Sequence, residues 1–150
     1  MKKLKFNFTI MEFLVEREDV DVSVVLADKI LKHIEVLQPI RDRLNAPLQI
    51  SQHSGYRSIQ WERKHNRSGL SEHTFVGKGA VDLYTQDMEY LRQLITESEY
   101  TRVCYYPLEG HLHADFKYVV GEVQKHYLAD PEDNSRWVQV RKDQFIKGNF

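Results

Sequence analysis

The sequence predicts an α+β fold in which helices pack on a small antiparallel sheet. Three observations carry this. Apolar residues Leu26, Ile30, Ile34, Leu37, Ile40 and Leu44 recur at helical spacing over residues 24–45. Short strand-like runs fill the second half, at 80–84, 102–106, 112–118, 124–128 and 137–140. Turn-rich stretches at 107–110 and 130–135 separate the later runs at hairpin distance. Helices come early and strands late, which separates the two kinds of structure instead of alternating them.

Taken in order, residues 1–9 alternate loosely through Leu4, Phe6 and Phe8, a short strand or extended arm. Thr9 and Glu12 stand at capping-box spacing and predict a short helix over 10–17. The long helix over 24–45 contains Pro39, which should kink or split it. Residues 48–51 read as a strand, 53–58 as a glycine-containing loop, 59–66 as a short helix and 66–69 as a turn. In the strand at 80–84, Val81 and Leu83 face the core, while Asp82 points the other way with Ala80 and Tyr84. Asp87 caps a helix that runs to 96 and turns Tyr90, Leu91, Leu94 and Ile95 inward. The strands at 102–106 and 112–118 follow. Residues 119–150 form a C-terminal extension with one more hairpin, and the 150 residues are expected to make one domain.

The composition excludes several function classes. A net charge of −1 gives no basic field for nucleic acid or for an anionic membrane surface. A charged fraction of 29% beside 41% hydrophobic residues is that of a soluble globular protein. Cys104 is the single cysteine, so no internal disulfide forms, and its apolar neighbours mark a buried structural thiol. No apolar run approaches the roughly 18 residues of a membrane span. Lys5, Asn7, Thr9 and Glu12 interrupt the segment that would follow Met1-Lys2-Lys3 in a signal peptide. Synthesis in the cytoplasm without a cleaved signal is therefore expected, and action outside the cell would need another release route. The oligomeric state is open, with a monomer as the default.

The chemistry concentrates in His111-Leu112-His113-Ala114-Asp115. In a strand, His111 and His113 share one face while Leu112, Ala114 and Phe116 turn to the core. Such a pair suits one metal ligand and one acid/base neighbour. His73 supplies a second ligand, and a loop with Gly77 and Gly79 lets the backbone fold back towards Asp82. Asp82 among apolar strand residues is costly unless paired or bound to a cation. His73, Asp82 and His113 together suit zinc, with a fourth position for water. His111 is the candidate base or oxyanion stabiliser, and Glu109 the other candidate base. Of the remaining histidines, His33, His65 and His126 read as surface residues. His53 reads as an ordinary loop residue, at most supporting the site from behind.

These residues resemble the zinc D-Ala-D-Ala carboxypeptidase family, within the wider group of lysostaphin, D-Ala-D-Ala metallopeptidases and sonic hedgehog. The resemblance rests on Ser54-Gly55-Tyr56-Arg57-Ser58, then Ser71-Glu72-His73 with Ala80-Val81-Asp82, then His111-Leu112-His113, in the family's order. Phe8-Thr9-Ile10-Met11-Glu12-Phe13 and Leu37-Gln38-Pro39-Ile40-Arg41 are similar to its N-terminal half. The likeness spans roughly residues 6–118, and the tail has no counterpart. It implies a hedgehog/D-Ala-D-Ala-peptidase-like fold, a zinc ion on His73, Asp82 and His113, and His111 as the catalytic histidine. Arg57 would anchor a substrate carboxylate, and Ser71 would contact substrate or orient His73. Two departures stand out. The segment between His73 and Asp82 is two residues longer than the family pattern, which is cheap in closure entropy but is expected to reshape the cleft. Glu109 lies four residues ahead of His113, not three, which favours His111 as the working group.

The implied activity is zinc-dependent hydrolysis of peptide bonds in peptidoglycan stem peptides. A D,D-carboxypeptidase would use Arg57 for the terminal carboxylate. A cell-wall endopeptidase, such as a phage-type endolysin, would need an open cleft, and the sequence leans to it. The alternatives are a non-catalytic zinc-containing binding module of the same fold and a plain α+β domain without metal.

Overall fold

A computed structural model describes residues 8–14, 22–51, 55–119 and 121–150. Its frame is a six-stranded sheet of β1 (Gln49–Ile50), β2 (Ala80–Tyr84), β3 (Arg102–Tyr106), β4 (His111–Asp115), β5 (Lys125–Asp130) and β6 (Asp133–Val140). The strands lie in the order β1-β2-β4-β3-β5-β6. Four helices accompany them: α1 (Val24–Arg43), α2 (Ile59–Lys64), α3 (Met88–Ile95) and α4 (Lys142–Lys147). The architecture is mixed α and β, consistent with α+β. No helix among the described residues is long and apolar enough to cross a membrane.

The sheet departs from the all-antiparallel expectation at one pair, since β3 and β5 are parallel. The cause is the connection that follows β4. Asp115 ends β4 opposite Arg102, and Lys125 begins β5 opposite the same Arg102. The chain passes the end of β3 and turns back up its far side. A strand that skips over its hairpin partner in this way must run parallel to it. The β5–β6 hairpin then extends the sheet, with a register shift at Ala129/Asp130.

Helix starts follow their caps, with exceptions. The Ser23 hydroxyl accepts from Leu26 N and the Ser58 hydroxyl from Trp61 N. Thr9 makes no side-chain cap bond, and the segment after it is a 3₁₀ helix over Ile10–Phe13. Leu14 then bridges to Tyr56, so the turn ends well before 17. Residues 15–17 of that expected helix, residues 1–7 of the expected arm, and His53 lie outside the described residues. Asp87 stands at the N-cap of α3 without a side-chain cap bond. Helix α1 runs through Pro39 without splitting. Pro39 and Glu35 both face solvent, where water can take the carbonyl that the proline cannot serve. Helix α4 was not expected, and its Phe145 is fully buried.

The core lies on one side of the sheet. Val81, Leu83, Val103, Leu112, Ala114 and Leu128 meet Ile30 and Leu37 of α1 and Leu91 and Ile95 of α3. Sequence reading placed His33 at the surface, and this is corrected: it is 0% exposed. It follows Ile30 by three residues and precedes Leu37 by four, which puts it on the buried stripe of α1. Its Nδ1 is 2.7 Å from the Tyr100 hydroxyl and its Nε2 2.9 Å from the Lys78 carbonyl. Lys29 Nζ donates to the Phe75 carbonyl at 2.8 Å. These two side chains pin the lengthened loop between His73 and Asp82 to α1.

Burial pushes the His33 imidazole down to about 4, with the Lys78 carbonyl opposing the shift in part. Replacing His33 by Leu strands the Tyr100 hydroxyl and the Lys78 carbonyl. Urea unfolding at neutral pH is expected to show a loss of about 2 kcal/mol. The unfolded chain protonates this histidine near pH 6.5, whereas the folded protein resists until about 4. The stability owed to neutral His33 is therefore complete above about 6.5 and lost as the pH falls towards 4. Across that window His33→Leu should lose stability with a shallower slope, by about one proton. Parallel slopes would contradict the burial account.

Candidate metal centre

The other face of the sheet carries the polar residues, and strand register arranges them. Asp82 of β2 lies opposite His113 of β4, which lies opposite Cys104 of β3. One step along, Ala80, Asp115 and Arg102 form the next row. Directly paired residues share a face, so Asp82, His113, Asp115 and His111 all stand on the side away from the helices. His113 Nδ1 is 2.9 Å from Asp82 Oδ1.

His73 arrives from a 3₁₀ turn, Glu72–Thr74, whose N-cap Ser71 accepts from the His73 backbone N–H. Phe75 closes this turn in the left-handed region. Of the two glycines in the following loop, Gly79 is the one the backbone requires. It has φ +86°, and a Cβ there would lie 2.2 Å from the Phe75 ring. His73 Nε2 comes within 3.6 Å of Asp82 Oδ1. The ligand atoms of His73, Asp82 and His113 all lie within 4.8 Å of one another.

The set fits a metal for reasons beyond proximity. His73 Nδ1 is 3.0 Å from the Gly55 carbonyl, which orients the ring and leaves Nε2 directed inward. His113 Nε2 is 2.6 Å from Asp115 Oδ2, which leaves Nδ1 inward. An oxygen on the outer nitrogen of each imidazole is the usual support of a metal-binding histidine. Asp115 is 0% exposed and is itself held by the Arg102 guanidinium and by Lys117 N–H. Its burial alone would raise its pKa, but the bonds from His113 and Arg102 outweigh this and hold it at about 2. Burial also opposes charge on His113, yet Asp115 and Asp82 together raise it to about 9. His73, buried and with Arg57 nearby, is shifted downward despite facing Asp82. The site thus asks for a positive charge beside Asp82. Zinc would supply it in place of the His113 proton, held by His73 Nε2, Asp82 Oδ1 and His113 Nδ1.

The other predicted residues surround this centre. His111 is half-buried, with Nδ1 3.1 Å from Glu109 Oε2 and its ring stacked 4.1 Å from that of Tyr106. Arg57 is 6% exposed; its backbone N–H donates to the His73 carbonyl and its Nη2 to the Ser71 hydroxyl. Its Nε has no hydrogen-bond acceptor among the described residues, and Glu62 stands behind it at 3.8 Å. Burial lowers the Arg57 pKa, with Glu62 opposing the shift. All seven candidate residues line one cleft of about 680 Å³. No residue of the lengthened 74–81 segment lines that cleft. Cys104 is buried beneath the site, and burial pushes its thiol upward, as suits a structural cysteine.

Sequence reading missed one wall. Trp137 of β6 lies 4.9 Å from the His113 ring and donates from Nε1 to the Tyr106 hydroxyl. Asn134 donates to Glu109. No local signal marks these residues, because the parallel β3–β5 pairing brings the tail here. Asp115 did carry a signal, two residues after His113 on the same strand face.

Asp115→Asn should weaken zinc binding about 10–100-fold, because the amide is a weaker acceptor for His113 Nε2. Competition against a chelating dye measures this. Asp82→Ala should abolish stoichiometric binding in the same assay. An Asp115→Asn protein with wild-type affinity would show that His113 is not a ligand.

Residues 6–115 match the family model described as peptidase M15. No curated protein matches the chain. The matched segment contains His73, Asp82 and His113 and ends at Asp115, the residue that supports the last of them. The chain belongs to the peptidase M15 family, of the zinc D-Ala-D-Ala carboxypeptidase type.

Proposed function

We propose that the protein is a zinc-dependent hydrolase of peptide bonds in peptidoglycan stem peptides. The observation that carries this is the division of the two β4 histidines. His113 turns Nδ1 to Asp82, whereas His111 in the same cleft pairs with Glu109 and stands outside the ligand set. A module that only held a metal would have no use for His111 or for the buried Arg57.

Zinc, when bound, supplies the Lewis acidity that activates water and polarises a peptide carbonyl. The chain's own residues do the rest. Arg57, held by Ser71 and backed by Glu62, presents a planar cation to a substrate carboxylate. Ser71 also caps the turn that aims His73. With Glu109 on Nδ1, His111 keeps Nε2 to accept a proton and pass it to the leaving amine. Glu109, 3.1 Å from that ring, is assigned to orienting His111 rather than to acting as the base itself. The cleft of about 680 Å³ has room for peptide on both sides of a scissile bond, as the endopeptidase form requires.

Purified protein should release fragments from peptidoglycan, lose that activity to a chelator and regain it with zinc. His111→Ala should keep one zinc per chain while kcat falls by about 100-fold or more. Full activity in His111→Ala would remove its assigned role. A wild-type protein that binds zinc but cleaves no muropeptide would favour a binding module. Arg57→Lys should raise KM about tenfold, since an ammonium does not replace the bidentate guanidinium.

A further inference from the structure

The β5–β6 hairpin lies beyond the segment that the family model matches, yet it reaches the imidazole assigned to proton transfer. We propose that β6 is part of the active centre, with Asn134 and Trp137 as positioning residues for His111. This rests on the peptidase reading above.

His111 opens β4 directly after the 107–110 turn and is paired there with Tyr106 of β3. Glu109 is 49% exposed, and a solvent-facing carboxylate–imidazole pair is too weak to fix either partner. Two contacts nevertheless define the ring. Glu109 Oε2 holds its Nδ1 edge, and Tyr106 stacks on its face at 4.1 Å with the planes 21° apart. Each of these two residues is tied in turn to β6. The Asn134 amide donates to Glu109 Oε1, the oxygen that His111 does not use. Trp137 Nε1 donates to the Tyr106 hydroxyl at 2.8 Å. Trp137 is itself anchored, with the Arg102 guanidinium 4.8 Å over its ring.

Two hydrogen bonds from one strand, to Glu109 and to Tyr106, therefore hold the two neighbours of one imidazole, one at its edge and one at its face. The edge contact bears on the tautomer: a carboxylate 3.1 Å from Nδ1 favours the neutral ring's proton there and leaves Nε2 as acceptor. The face contact sets the plane of the ring and so the direction of Nε2. Loss of the Asn134 amide frees Glu109 to rotate into solvent. Loss of the Trp137 N–H frees the Tyr106 ring. The Asn134 change misaims a proton-transfer group without touching His73, Asp82 or His113, whereas the Trp137 ring also packs 4.9 Å from that of His113, so zinc content has to be measured alongside kcat in that variant.

The test uses the full chain loaded with zinc, acting on defined muropeptides, with Asn134→Ala, Asn134→Gln and Trp137→Phe. We expect kcat to fall about tenfold in Asn134→Ala and in Trp137→Phe, with KM within about twofold and zinc content unchanged. Asn134→Gln, which keeps the donor, should recover part of the loss. Long-range proton–nitrogen NMR of the metal-free protein reads the tautomer without turnover. His111 should carry its proton on Nδ1 in the wild type and divide it between the nitrogens in Asn134→Ala. If both variants keep the wild-type tautomer and kcat, β6 does not position His111. If KM rises and kcat holds, β6 is a substrate wall and the proposal falls. If the wild type cleaves nothing, the peptidase reading fails, and the tautomer in Asn134→Ala alone decides whether Asn134 positions the ring.

Discussion

The register between β2 and β4 is the constraint on which the site depends. Asp82 and His113 are directly opposed, and both point away from the helices. A slip of one residue would send His113 into the core and bring Leu112 to the cleft. Val81, Leu83, Leu112 and Ala114 oppose any such slip, since all four are fully buried on the other side. The same alternation that builds the core therefore also places a carboxylate beside an imidazole. That carboxylate is costly where it stands, and the cost sets the terms for its neighbours. His73 is brought across by a turn that Gly79 permits and that His33 and Lys29 tie to α1.

Around this row the charges answer one another in layers. Asp115 compensates His113 from behind, and Arg102 compensates Asp115. The two aspartates thereby differ in role although both face His113. Asp82 offers its oxygen to the centre, whereas Asp115 is consumed by the bonds that orient its partner. His73 and His113 are likewise unequal, with a backbone carbonyl behind the first and a carboxylate behind the second. His113 is therefore the more basic ligand. The fourth participant, His111, belongs to a different set of contacts, with Glu109 and Tyr106 rather than with the centre.

Much of this was legible in the sequence because it is local. Period-two alternation in 111–115 separates core from site, and the same rule gives Asp82 its face. Ordered motifs singled out His73 and Arg57 without any knowledge of their distance, and both line the same cleft. What was not legible depends on long-range pairing. His33 reads as a polar residue on a helix flank until Tyr100 and the Lys78 carbonyl supply partners from far along the chain. The capping box at Thr9 has the right spacing, but the chain leaves the helix at Leu14 to bridge with Tyr56. Trp137 and Asn134 enter the cleft only because β5 turns back beside β3, and no residue in the tail announces a parallel pairing.

His73, Asp82 and His113 are proposed to hold one zinc ion between β2, β4 and the turn that carries His73. Zinc-edge X-ray absorption on protein loaded with one equivalent tests it most directly. With the ion on these three residues, the nearest scatterers are nitrogen and oxygen only, at about 2.0–2.2 Å, with the outer-ring scattering of two imidazoles. Scattering from about 2.3 Å, the distance of a thiolate sulfur, would place the metal on Cys104 and contradict the account.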